Sequence, residues 1–81
     1  VALKLYDAVR IVRLLKANRY HDGTVGVRRP PQVGDLGTIV HEYDREDPRA
    51  PLMVEKSDPD GHTVWLADFE PDELELVETF T

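Results

Sequence analysis

The chain has 81 residues, with ten Lys/Arg, sixteen Asp/Glu and no cysteine. That length makes residues 1–81 a single domain near the lower limit for a self-sufficient core, and the missing thiols exclude a disulfide framework or a thiolate metal site. The net charge of −6 is divided unevenly, with a net of +5 over residues 1–31 and −11 over residues 32–81. Such asymmetry marks either a binding surface or a solvated surface with unevenly shared charge. There is no signal-peptide pattern and no apolar run of about 18 residues, so a cytoplasmic protein with no membrane association is expected.

In chain order, Leu3–Asp7 reads as a lead-in whose Leu5 and Tyr6 close one end of the core. From Leu3 to Leu15 the polar residues Lys4, Asp7, Arg10 and Arg13 recur every third position between apolar ones. That pattern fits part of an amphipathic helix about as well as a strand buried on both faces. Val9, Ile11 and Val12 favour the strand, so the first strand is predicted over Ala8–Leu14. Asn18 to Gln32 is a long loop holding Gly23, Gly26, Pro30 and Pro31, of a length that is often functional or mobile. Within it Val25 and Val27 alternate around Gly26 as a candidate short β arm.

Gln32-Val33-Gly34-Asp35-Leu36-Gly37-Thr38-Ile39-Val40 anchors the reading of the chain. Gly34 tolerates positive φ, and the Asp35 carboxylate can cap nearby N–H groups. Gly37 suits a bulge or a close backbone approach, and Thr38-Ile39-Val40 is β-branched throughout. The second strand is predicted over Leu36–Tyr43, followed by a charged, proline-bearing loop over Asp44–Pro51. Leu52–Lys56 is the third strand and His62–Asp68 the fourth, joined by Asp58-Pro59-Asp60-Gly61 with Gly61 at the left-handed position of a bulged hairpin. Pro71-Asp72-Glu73 fits one 3₁₀ turn, and Leu74–Val77 closes as a fifth strand with Leu74 and Leu76 on one face. The prediction is an all-β, five-stranded SH3-like small barrel with a long first loop and a 3₁₀ turn before the last strand.

Leu5-Tyr6-Asp7-Ala8-Val9, Val33-Gly34-Asp35-Leu36-Gly37-Thr38-Ile39-Val40, Asp60-Gly61-His62-Thr63-Val64 and Pro71-Asp72-Glu73-Leu74 together resemble an uncharacterised bacterial family of small SH3-like barrels, a domain of unknown function with a Val-Gly-Asp-x-Gly-Thr motif. The similarity runs from about Leu5 to Val77. The motif is also similar to those of KOW-type and nitrile-hydratase β-type barrels, and so speaks for the fold more than for a role. The resemblance implies no catalytic residues. Some members resemble companions of toxin-like genes, which implies an antitoxin- or immunity-like role. The chain departs from the family in its long basic loop and at His41 and Lys56.

The chemistry points away from an enzyme. Ser57 is the only serine and has no histidine at motif spacing. The acids Asp44, Glu46, Asp47, Asp58 and Asp60 sit where turn formers sit. His21, His41 and His62 lack the spacings that place two imidazoles on one metal, so neither a metal nor another cofactor is expected. His21 and His62 are expected to be exposed and His41 half-buried at the barrel rim.

A non-catalytic protein-binding module fits better. If Val64 and Leu66 face the core, Trp65 faces out beside Tyr43, with the acidic Asp44, Glu46 and Asp47 at the rim. Aromatics ringed by acids suit a basic protein partner. The competing assignment puts Trp65 inside and Val64 and Leu66 outside. The alternative function is an RNA-associated, KOW-like barrel using the basic loop 16–31, with Lys16, Arg19, Tyr20, Arg28 and Arg29 as its contacts. It is weakened by the acidic remainder of the chain, which repels phosphate.

Overall fold

The computed structural model describes residues 2–81. Its strands are β1 (Ala8–Ile11), β2 (Leu36–Glu42), β3 (Leu52–Ser57), β4 (Thr63–Phe69) and β5 (Leu74–Glu78), with a 3₁₀ turn at Pro71–Glu73. They pair antiparallel in the order β4-β3-β2-β1-β5. This is the all-β, SH3-like small barrel predicted, with the long loop after β1 and the 3₁₀ turn ahead of β5.

The turn chemistry accounts for the corners. Gly34 and Gly61 both adopt left-handed backbone, at φ 97° and 86°. Asp58 closes its turn by accepting the Asp60 and His62 amides at 3.0 and 2.8 Å. Gly37 is needed for space. A Cβ there would stand 2.7 Å from Val54 Cγ1, 2.9 Å from the Glu55 carbonyl and 3.2 Å from the Trp65 ring.

Several local expectations are corrected. β1 stops at Ile11 instead of reaching Leu14; the Val12 amide still donates to the Glu73 carbonyl at 2.8 Å in the β1–β5 register, and beyond it the chain leaves the sheet. Leu14 and Leu15 are consequently exposed. Val25 and Val27 form no β arm: the Val27 and Arg28 amides fold back on the Thr24 carbonyl as a turn. Tyr6 takes a left-handed φ of 70° and lies exposed, edge-on to Phe80. Leu3 is the lead-in residue that packs against the core.

The largest correction concerns Trp65. It is fully buried, with Val9, Ile11, Ile39, Val54 and Phe69 in the same core cluster. Trp65, Ala67 and Phe69 point inward, whereas Leu66 is only partly covered. Val64 is buried too, beside the long loop. An indole fills the centre of a barrel this small better than two aliphatics do. Its removal from water is worth about 5 kcal/mol for roughly 200 Å² of apolar surface.

The long loop also serves as an edge cover. Asp22 exchanges both backbone hydrogen bonds with Leu66 at 2.9 Å, Thr24 donates to the Thr63 carbonyl at 2.9 Å, and Arg29 donates to the Val64 carbonyl at 3.1 Å. These bonds satisfy the outer side of β4, a strand that would otherwise be an open edge.

Two substitutions test this packing. Gly37→Ala is expected to lower stability by about 1–3 kcal/mol, because Val54 and Trp65 must move. Trp65→Ala is expected to cost about 3–5 kcal/mol and to leave the domain largely unfolded. Urea midpoints measure both; an unchanged midpoint in either variant contradicts the packing described.

Candidate functional site

Three carboxylates organise the inside of the molecule. Asp35 lies at the start of β2 with its side chain 12% exposed. Its Oδ1 and Oδ2 accept both terminal nitrogens of Arg29 at 2.9 and 2.8 Å, and Oδ2 also accepts the Gln32 amide and Trp65 Nε1 at 3.0 and 2.9 Å. Burial pushes the pKa of this carboxyl up. The hydrogen bonds from Arg29, Trp65 and Gln32 outweigh burial and hold it at about 2.

Glu73 is fully buried in the 3₁₀ turn. It accepts Arg19 Nη2 at 2.6 Å and the Leu15 and Glu70 amides at 2.8 Å. Burial again opposes ionisation, and the Arg19 and backbone donors overcome it, so the pKa is lowered. Arg19 is itself nearly buried, with its guanidinium carbon 4.3 Å from the centre of the Phe69 ring. Asp7, also buried, holds the Lys4 ammonium at 2.7 Å and the Lys4 and Phe80 amides at 3.0 Å, joining the two ends of the chain.

These networks take residues away from the basic loop. Arg19 and Arg29 are spent on internal carboxylates, which leaves Lys16, Tyr20 and Arg28 as the exposed members of the expected nucleic-acid set. Lys16 lies 3.8 Å from Glu70. The cleft that Lys16, Arg19 and Tyr20 line, of about 520 Å³, is also lined by Asp22 and Asp68, so its charge is mixed.

The expected aromatic and acidic patch is also rearranged. Trp65 is in the core and cannot join it. Tyr43 is exposed, sits edge-on to His41, and donates its hydroxyl to Asp68 at 2.6 Å. That hydrogen bond, with burial and the Asp68 charge, pushes its pKa up to about 12. His41 is exposed instead of half-buried, and His21 is half-buried instead of exposed.

Asp44 and Asp47 instead border a groove of about 680 Å³, which lacks Tyr43, Glu46 and Trp65. Its floor is apolar, supplied by Leu3, Leu52, Leu74 and Leu76 with Pro48 and Ala50. Its rim holds Glu42, Asp44, Asp47, Asp72 and Glu75, with Arg45 as the one basic residue. Arg45 is itself 3.5 Å from Glu42. The two loop aspartates are positioned by their own turns, Asp44 accepting the Glu46 amide and Asp47 the Arg49 amide.

Sequence reasoning missed Leu3 and the 3₁₀ turn as groove walls. It also missed the buried roles of Asp7 and Glu73. The spacing Glu70-x-x-Glu73 around Pro71 was the available signal, since the two form a reciprocal capping box.

Elsewhere, ligand atoms of Asp58, Asp60 and His62 lie within 4.8 Å of one another. Hydrogen bonding within the Asp58–His62 turn accounts for this proximity. No helix among the described residues is long and apolar enough to cross a membrane. No family model, curated protein or solved structure matches the chain.

The depressed Asp35 value predicts a pH dependence. A carboxyl lowered from 3.8 to about 2 contributes its full stability above the ordinary value and loses it as pH falls toward 2. At ~1.36 kcal/mol per unit this is roughly 2 kcal/mol. Asp35→Asn is expected to lose about that much at neutral pH and to flatten the decline below pH 4. Urea unfolding across pH 2–7 checks both; a variant as acid-sensitive as the parent contradicts the assignment.

Proposed function

We propose that this chain is a non-catalytic protein-binding module whose partner presents a basic segment to the acidic-rimmed groove. The observation that carries this reading is the groove itself, an apolar floor enclosed by five carboxylates and one arginine. Apolar burial supplies affinity to such a site, and the surrounding charge steers encounter and selects the partner's sign. Asp44 and Asp47 remain the contacts favoured by the sequence, whereas Glu46 and Tyr43 do not line the groove. The resemblance to small barrels that accompany toxin-like genes makes an antitoxin- or immunity-like role a natural form for the module. That rests on analogy of fold and motif. The RNA-associated reading is less supported, since two of its three arginines are bound internally.

Affinity capture from cells of the native host, after nuclease treatment, tests the reading with three baits. The unaltered chain is expected to retain a protein that high salt releases. Asp44→Lys with Asp47→Lys is expected to lose it by about tenfold or more, as two charge pairs become repulsions. Tyr20→Ala with Arg28→Ala is expected to keep it. Loss of the captured protein in the Tyr20/Arg28 variant, or its dependence on intact RNA, overturns the proposal.

A further inference from the structure

The two edges of the sheet are treated differently. The long loop hydrogen-bonds along β4, whereas β5 is paired on one side only, with β1. The pairing register shows which backbone groups of β5 face outward. Ile11 spends its N–H on Asp35 and its carbonyl on Gly34, both on the β2 side. Its partner across the ladder, Leu74, is therefore at a non-bonded position of the β1–β5 pair. Val12 confirms the alternation, donating to Glu73 one step earlier. Two residues on, Leu76 stands opposite Val9 in unbroken register. Its N–H and carbonyl, like the Leu74 carbonyl, thus point away from β1. Among the described residues no backbone group meets them.

The groove runs along this same edge. It is lined by Leu74, Glu75 and Leu76, three successive residues whose side chains alternate between the two faces, and by none of β1. Contact with three successive residues of β5 and with none of β1 places the groove beside this strand.

We infer that the outer edge of β5 takes up an extended basic segment of the partner as an added antiparallel or parallel strand. The backbone of that segment bonds to Leu74 and Leu76, its apolar side chains enter the groove, and its lysines or arginines meet the rim carboxylates. This rests on the protein-binding reading above and specifies its mode. A second copy of the chain is a poorer occupant. β5 reads Leu-Glu-Leu-Val-Glu, and Glu75 and Glu78 give two copies of this edge the same negative charge. Charge complementarity selects a basic strand.

The test uses the full chain and a short, end-blocked peptide alternating valine and lysine. A second peptide has the same side chains but is N-methylated at every other residue, so one edge cannot donate. Amide hydrogen exchange and chemical-shift titration read both. The expected result is that the unmodified peptide binds and slows exchange at the Leu76 amide by about tenfold or more. The methylated peptide is expected to bind about tenfold more weakly, as one or two hydrogen bonds of ~1 kcal/mol are lost. Equal binding of both peptides, with shifts confined to residues 44–50, retains the groove and overturns strand addition. Binding of neither peptide overturns the basic-segment reading along with it. Protection of Leu76 without peptide, rising with protein concentration, assigns the edge to a second copy and overturns the proposal.

Discussion

The Asp35 carboxylate is the constraint on which the rest of the structure depends. A fully buried indole needs a partner for its N–H, and Asp35 Oδ2 supplies one at 2.9 Å. A carboxylate at the edge of an apolar core needs a countercharge, and the paired nitrogens of Arg29 provide it. Arg29 is held in turn by its backbone bond to Val64 on β4. One side chain thus joins the central turn, the core tryptophan and the long loop. Removing it leaves the buried indole N–H without an acceptor, at about 1–3 kcal/mol, and leaves Arg29 with the Pro30 carbonyl.

Glu73 and Asp7 repeat the device at the other corners. Glu73 pins the first part of the long loop to the 3₁₀ turn through Arg19 and Leu15, and Asp7 fastens Phe80 to the lead-in. The basic excess of the first third of the chain is therefore consumed partly from within. Of its cations, Lys4, Arg19 and Arg29 each serve one of these three carboxylates. Five acids of the second half, Glu42, Asp44, Asp47, Asp72 and Glu75, line the groove between the 43–51 loop and β5. The proposed basic partner would meet a groove lined by five carboxylates, of which Glu42 and Glu75 already pair with Arg45 and Arg10.

The sheet edges carry the same division. Laying the long loop on β4 protects that edge from unplanned pairing. β5 is left short and glutamate-bearing, which discourages self-association while keeping its outward backbone groups available. The asymmetry places the open edge beside the groove and away from the loop.

The sequence by itself determined what depends on neighbours along the chain. The β-branched run Thr38-Ile39-Val40, the Asp58–Gly61 turn, the Pro71–Glu73 turn and the alternating Leu74 and Leu76 act over a few residues, and the strands they belong to are legible from them. Only the tertiary structure decided which way β4 faces. Alternation carries facing information when one side of a strand is covered and the other wet. On β4 the barrel covers Trp65 and the long loop lies beside Val64, so both parities are apolar. Arg19 and Arg29 were legible as cations but not as core partners. Glu73 lies 54 residues from Arg19, and Asp35 lies 30 from Trp65. Contacts at such separations exist only once the sheet has closed.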